Sequence, residues 1–401
     1  MRRLAALAFT AALVVVAPAR AQRGRDLPEN DPSLCPYCEG DPELMGAAGV
    51  VSHGGFEFAN GTTASVDEYF PDSDFKWIET AHFELGFGGG AYRIPVEERK
   101  RVRAELERLA LVLPEVDPKT RVLDPWLRAH LFGMRLEDTY QEFLELIEVE
   151  ESAFPSGKSP WNLRGKYLGE GPYLGQKGKY EVIVMPSEAA HKEFLLHNFG
   201  LPVTRTQRYN VRERDSLIVV TNVRLTGLRE DRNLHAHLVF NVSIQFANGF
   251  KHYSYDIPPW VREGLGHWME RRVTPDFNTF DASEGAVAEI SRKADWEGAT
   301  RKMVASGDAP SFAHLVNLDG FADFTLEDHY ATWSLYDYFT REHPGFVARL
   351  LDGLKGVVDE KGYSDGSNLD NVHREIFRAE LGMSYADLDR AWRAWVIENY
   401  Q

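Results

Sequence analysis

IPPWVREGLGHWMERR, Ile257 to Arg272, reads as a helix opened by prolines, with Glu263 standing immediately before Gly264 and Leu265. Proline suits a first helical turn, where its missing amide hydrogen would have had no partner anyway. At about 100° per residue, Trp260, Glu263, His267 and Glu270 fall on one face. Val261, Leu265, Trp268 and Met269 form an apolar stripe opposite. A polar face of this kind either meets another element to build a site or lies solvated and salt-bridged.

The upstream elements narrow the choice. Lys179–Met185 (KYEVIVM) and Ser216–Thr221 (SLIVVT) read as buried strands, and SEAAHKEFLLHNFG between them as a helix stopped by Gly200. Two helices follow, over roughly 231–248 and 259–273. Within the first stands Phe240-Asn241-Val242-Ser243-Ile244, with eighteen residues between Ile244 and Glu263.

From about Trp77 to its end the chain resembles the gluzincin metallopeptidases, the peptidase MA-like group. These carry His-Glu-x-x-His, then eighteen residues, then a glutamate followed by Gly-Leu or a close equivalent. The resemblance rests on KYEVIVM, SLIVVT, the helix pair and EGLGHW after PPW, and on the trailing HYATWSLYDYFTRE and GMSYADLDRAWRAWV. It implies an α+β, zincin-like domain with a small mixed sheet, a two-helix core of active-site type and a helical C-terminal half. In that family two histidines one turn apart and the downstream glutamate hold Zn²⁺, while the intervening glutamate takes a proton from the metal-bound water.

At the deciding positions this chain departs from the pattern. Phe240 and Ile244 stand where the two histidine ligands would be, and Asn241 where the base would be; only Glu263 keeps its type. Phenylalanine and isoleucine offer no lone pair, and asparagine accepts no proton near neutral pH. The expectation is a degenerate member with no catalytic residues, no metal and no cofactor, acting by binding or as a structural part. His237, Trp260, Glu263 and His267 are the candidate binding residues. The alternative is a metal-dependent hydrolase or peptidase in which His237, Glu263 and His267 converge on zinc; otherwise His237 is a hydrogen-bonded core histidine.

The N-terminus, MRRLAALAFTAALVVVAPARAQ, has the basic start, apolar run and small-residue Ala19-Arg20-Ala21 close of a cleaved secretory signal. Cleavage after Ala21 predicts an exported, periplasmic or extracellular chain with a bacterial type of leader. Removing Arg2, Arg3 and Arg20 leaves 42 basic residues against 61 acidic ones, a net charge of −19. That balance argues against nucleic-acid partners, and no later segment is apolar enough to span a bilayer. A protein or peptide ligand is the partner class left open.

The two cysteines form one motif, Cys35-Pro36-Tyr37-Cys38, in a loop-rich leader over residues 22–70. In an exported chain the expected state is a disulfide closing a small turn, with a zinc half-site or a thiol-disulfide redox pair as alternatives. Glu39 after Cys38 excludes a CxxCH haem attachment. Residues 71–175 read as an N-terminal strand and helical region, in which WIETAHFELGF alternates as a strand. Residues 176–401 read as the zincin-like domain. Gly88-Gly89-Gly90 lacks a P-loop lysine, and no G-x-S-x-G elbow is present.

Overall fold

The computed structural model describes residues 35–156, 167–281, 288–360 and 364–401. The expected signal segment and the first part of the leader lie outside these residues, as does part of the Gly/Pro-rich connector.

The leader is more ordered than its composition suggests. Its turn-forming residues serve as caps: Asp41 caps α1 (Pro42–Ala47), and Thr62 and Ser65 form a capping box on α2 (Thr63–Tyr69). A small hairpin, β1 (Glu57–Phe58) and β2 (Gly61–Thr62), lies between the two helices. Cys35, Cys38, Val50 and Phe58 are buried in the body of the protein.

WIETAHFELGF, expected as a strand, folds as two: β3 (Lys76–Glu79) turns back antiparallel into β4 (Phe83–Phe87). The turn is held partly from a distance. Thr80 Oγ1 accepts from the Phe83 amide at 3.1 Å, and Glu137 accepts from the His82 amide at 2.9 Å. Alternation alone carries no information about a carboxylate 55 residues away.

The chain continues through β5 (Tyr92–Arg93), α3 (Arg99–Ala110), β6 (Val122–Leu123) and the long α4 (Pro125–Ile147), whose N-cap is Asp124. Then come β7 (Tyr180–Met185), α5 (Glu188–Phe199), β8 (Gln207–Val211), β9 (Ser216–Asn222), α6 (Asp231–Gly249) and α7 (Pro259–Val273). The C-terminal half is helical: α8 (Ala288–Ser291), α9 (Trp296–Ser306), α10 (Phe312–Val316), α11 (Leu326–Glu342), α12 (Phe346–Leu354), α13 (Leu369–Ile376) and α14 (Tyr385–Asn399).

One five-stranded mixed sheet organises the fold, in the order β3-β4-β7-β9-β8. β4, β7 and β9 run parallel, while β3 and β8 are antiparallel edges. The regions read separately as 71–175 and 176–401 therefore both supply strands to one sheet. Alternation in β7 and β9 sorts the two faces. Val182, Val184, Leu217 and Val219 join the large core that includes α4 and α6. Ile183, Met185, Ile218 and Val220 join a smaller core with Phe58, Trp77 and Phe194 of α5. The mixed sheet and helical C-terminal half make the fold α+β. A buried Arg128–Asp231 ion pair ties the first turn of α4 to the first turn of α6.

Candidate functional site

Nearly every side chain of α6 is buried, as expected of a helix packed on all sides. α7 lies between α6 and α11, and the two glycines of Glu263-Gly264-Leu265-Gly266 let it approach both. A Cβ at Gly266 would sit 2.7 Å from Phe240 Cδ2 and 3.3 Å from Ile244 Cδ1. A Cβ at Gly264 would sit 2.7 Å from Tyr336 Cδ2 and 2.8 Å from the Thr332 carbonyl oxygen. Phe240 and Ile244 thus face α7 and fill the space between the helices.

Asn241 is committed elsewhere. Its Oδ1 accepts from Arg208 Nη1 at 2.7 Å, and its Nδ2 donates to the His237 carbonyl at 2.8 Å. Arg208, on the edge strand β8, also forms a two-pronged ion pair with Asp281. Burial alone would raise the Asp281 carboxyl, but the Arg208 guanidinium outweighs it and holds the group below its ordinary value.

His237 does not converge with Glu263 and His267. Its Nε2 lies 2.8 Å from Thr206 Oγ1 and 3.2 Å from Thr221 Oγ1, and its Nδ1 lies 3.1 Å from Thr279 Oγ1. Burial lowers its pKa to about 3, so it is a neutral, satisfied core histidine. The reason is the one-turn offset along α6, which aims it at the sheet edge instead of α7. Trp260 faces away as well: it packs on Phe312 and His373, with ring centroids 5.0 and 5.3 Å away.

Glu263 and His267 do come together, with a residue the sequence reading missed. His329 of α11 places Nδ1 2.9 Å from His267 Nε2 and 3.8 Å from Glu263 Oε2. One donor atom from each of the three lies within 4.8 Å of the others. Behind them, Glu270 Oε1 is 2.7 Å from His267 Nδ1, and the Thr279 amide donates to both Glu270 oxygens. The polar face of α7 is therefore buried, not solvated. Phe240, Phe280, Trp296 and Phe324 surround the two imidazoles. Burial pushes the Glu263 carboxyl up to about 8, with Asp281 adding to the effect. The same burial drops His329 to about 4 and His267 well below its ordinary value. At neutral pH the cluster is largely uncharged.

An open cleft of about 360 Å³ runs beside β8 and the adjoining parts of α6 and α7. Thr206, Arg208, Asn210, Gln245, Asp256 and Arg262 are among its lining residues.

A second group of donors lies beside β3, the sheet edge opposite β8. The disulfide expected between Cys35 and Cys38 is not formed; both are free and buried. Each sulfur is turned to an imidazole instead, Cys35 Sγ to His130 Nε2 and Cys38 Sγ to His53 Nε2, both at 3.0 Å. His53 and His130 were invisible to the motif because one follows in the next loop and the other sits on α4. A third cluster, Glu170, Asp215 and His252, is half-buried and already ion-paired, His252 with Asp215 and Lys177 with both acids.

No family model matches this chain, and neither a curated protein nor a solved structure is significantly similar to it.

Proposed function

We propose that the chain is an exported, non-catalytic gluzincin-like protein, a pseudo-peptidase that binds an extended segment of another protein. The observation that carries this reading is the turn Phe240–Ile244. Its two apolar side chains are packed into α7 at Gly266, and the intervening Asn241 serves as an anchor for Arg208. Positions that in the resembling family hold metal and activate water here hold helices and an edge strand together. The strand order also supports the reading, with an antiparallel edge, β8, followed by β9 and the α6–α7 pair. An edge strand offers unpaired amides and carbonyls to an incoming strand. The cleft lies along that edge, with arginine and aspartate side chains within reach of an arriving peptide.

A second reading has one observation in its favour. Glu263 Oε2, His267 Nε2 and His329 Nδ1 form the His₂Glu donor set of a hydrolytic zinc site, with Glu270 placed to orient His267. Against it, all three residues are at most 2 % exposed, and Phe240, Phe280, Trp296 and Phe324 pack on the two imidazoles.

A peptide-hydrolysis assay separates the two. The purified chain, supplied with Zn²⁺ and a mixture of quenched-fluorescence peptides, should hydrolyse no faster than its Glu263→Gln variant. Peptides retained by the chain should slow hydrogen exchange of the amides of residues 207–211. Zinc-dependent hydrolysis that disappears in Glu263→Gln would replace the binding reading with the relocated metal site.

A further inference from the structure

The CPYC turn has features of a metal knuckle. The Glu39 amide donates to the Cys35 carbonyl at 2.8 Å, and the Asp41 amide to the Cys38 carbonyl at 2.7 Å. The Tyr37 amide points at Cys35 Sγ at 3.4 Å, and a backbone hydrogen bond from Gly40 reaches Cys38. The turn needs left-handed backbone at Glu39 and Gly40, with φ of 50° and 72°. Glycine adopts that conformation without steric cost. These bonds aim two sulfurs in one direction, with both cysteines fully buried.

Two imidazoles arrive from separate elements. His53, in the loop after α1, has Nδ1 3.0 Å from the Trp77 carbonyl oxygen. That acceptor fixes the proton on Nδ1 and leaves the Nε2 lone pair facing Cys38. His130, on the second turn of α4, presents Nε2 to Cys35. The ring of Trp126 stands edge-on to His53, centroids 4.9 Å apart, and closes one side. The four donor atoms, two sulfurs and two nitrogens, lie within 4.8 Å of one another.

We propose that Cys35, Cys38, His53 and His130 hold one zinc ion in a closed tetrahedral site that fastens the N-terminal segment to β3 and α4. With Zn–S near ~2.3 Å and Zn–N near ~2.05 Å, a tetrahedron has edges of roughly 3.4–3.8 Å. The two 3.0 Å sulfur–nitrogen separations open by about half an ångström to reach that geometry. Binding releases the thiol protons, and two thiolates with Zn²⁺ make a site of zero net charge. A neutral site suits a location with buried ligands. Four protein ligands leave no place for substrate, so the centre is structural. A single zinc ion fits better than a [2Fe–2S] cluster with the same donor set, whose two thiolates and two imidazoles bind different irons, because here each sulfur lies 3.0 Å from an imidazole nitrogen. The alternatives for the motif fit less well. A redox pair needs an accessible sulfur, and both are at 0 % exposure.

The test is metal analysis of the purified chain, followed by replacement with Co²⁺. The expected result is about one zinc per chain at this site, and on replacement a sulfur-to-cobalt charge-transfer band in the near ultraviolet. That band reports thiolate ligation and so cannot arise from Glu263, His267 and His329. Cys35→Ser/Cys38→Ser should lose the band and one zinc equivalent, whereas Glu263→Gln should keep both. Should the cysteine variant fail to fold, the band in the unaltered chain still decides the question. Absence of the band after reduction and metal loading would overturn the proposal. So would a purified chain two mass units lighter than its reduced form, with no zinc, because that is the disulfide.

Discussion

The ring of Phe240 lies 5.0 Å from that of His267, centroid to centroid, and its edge rests where a Cβ at Gly266 would have to go. The contact joins α6 to α7, the helix bearing Glu263, and it is tight. Gly266→Ala should therefore destabilise the protein by about 1–3 kcal/mol, despite alanine's better helix propensity. Adding Phe240→Leu, which withdraws the crowded ring edge, should recover part of the loss. Thermal melts of the single and double variants check this. An alanine at 266 that stabilised the chain would mean α6 and α7 are further apart than described.

Writing a His-Glu-x-x-His motif into α6 is the complementary experiment. Phe240→His, Asn241→Glu and Ile244→His together replace two buried apolar side chains by polar ones and remove the amide that holds Arg208. Without metal the loss should be several kcal/mol, on the order of two large-to-polar core changes. Zn²⁺ should return part of it, because the new histidines and Glu263 supply three ligands. The readout is the melting temperature with and without zinc in a background carrying Cys35→Ser and Cys38→Ser, compared with that background alone, so that the response of the introduced ligands is separated from that of Glu263, His267 and His329.

What the sequence disclosed and what it hid follow from how local each signal is. α6 and α7 were legible to within a residue or so, since proline at the start of α7 and long periodic runs are local marks. So were β7, β9 and the Gly200 stop of α5, which has φ 69°. The β3–β4 turn was not, because Glu137 on α4 helps to hold it. The sites were half visible. Glu263 and His267 share a helix face, but His329 joins them only through the packing of α11 on α7, which Gly264 permits. Cys35 and Cys38 announced a turn, whereas His130 lies 95 residues beyond Cys35 and reaches it only in the folded chain.

Glu263 gives the protein a specific pH signature. Its carboxyl is pushed up to about 8 in the fold, first by burial, against the usual value near ~4.3 in an unfolded chain. Between those values the unfolded state has released a proton that the folded state keeps, so stability falls as pH rises through this window and levels off above it. Glu263→Gln cannot titrate. It should raise the melting temperature relative to the unaltered chain by more at pH 8 than at pH 5. An equal shift at both would mean that Glu263 is already ionised in the fold at pH 5. The acid side is governed by different groups. His237 and His329 are held neutral by burial at about 3 and 4, so their contributions are lost as pH drops below about 6.5.

The ion pair of Arg208 with Asp281 ties the edge strand β8 to the segment after α7, and both partners are largely buried. Removing one partner should cost more than removing both, because a lone buried charge is worse than none. Asp281→Asn leaves Arg208 with only neutral acceptors and should lose on the order of 3 kcal/mol. Arg208→Met strands Asp281 in the same way and frees Asn241 Oδ1. The double variant Arg208→Met/Asp281→Leu should be more stable than either single one, since the packing is kept and the desolvation cost of both charges disappears. If β8 is the peptide-binding edge, the double variant should still bind less well than the unaltered chain. Its strand has lost the anchor that holds it in register beside the cleft. Denaturant midpoints measure the stability order, and anisotropy of a labelled extended peptide measures the binding. Binding unchanged in the double variant would detach the cleft from β8 and move the search for a ligand elsewhere on the surface.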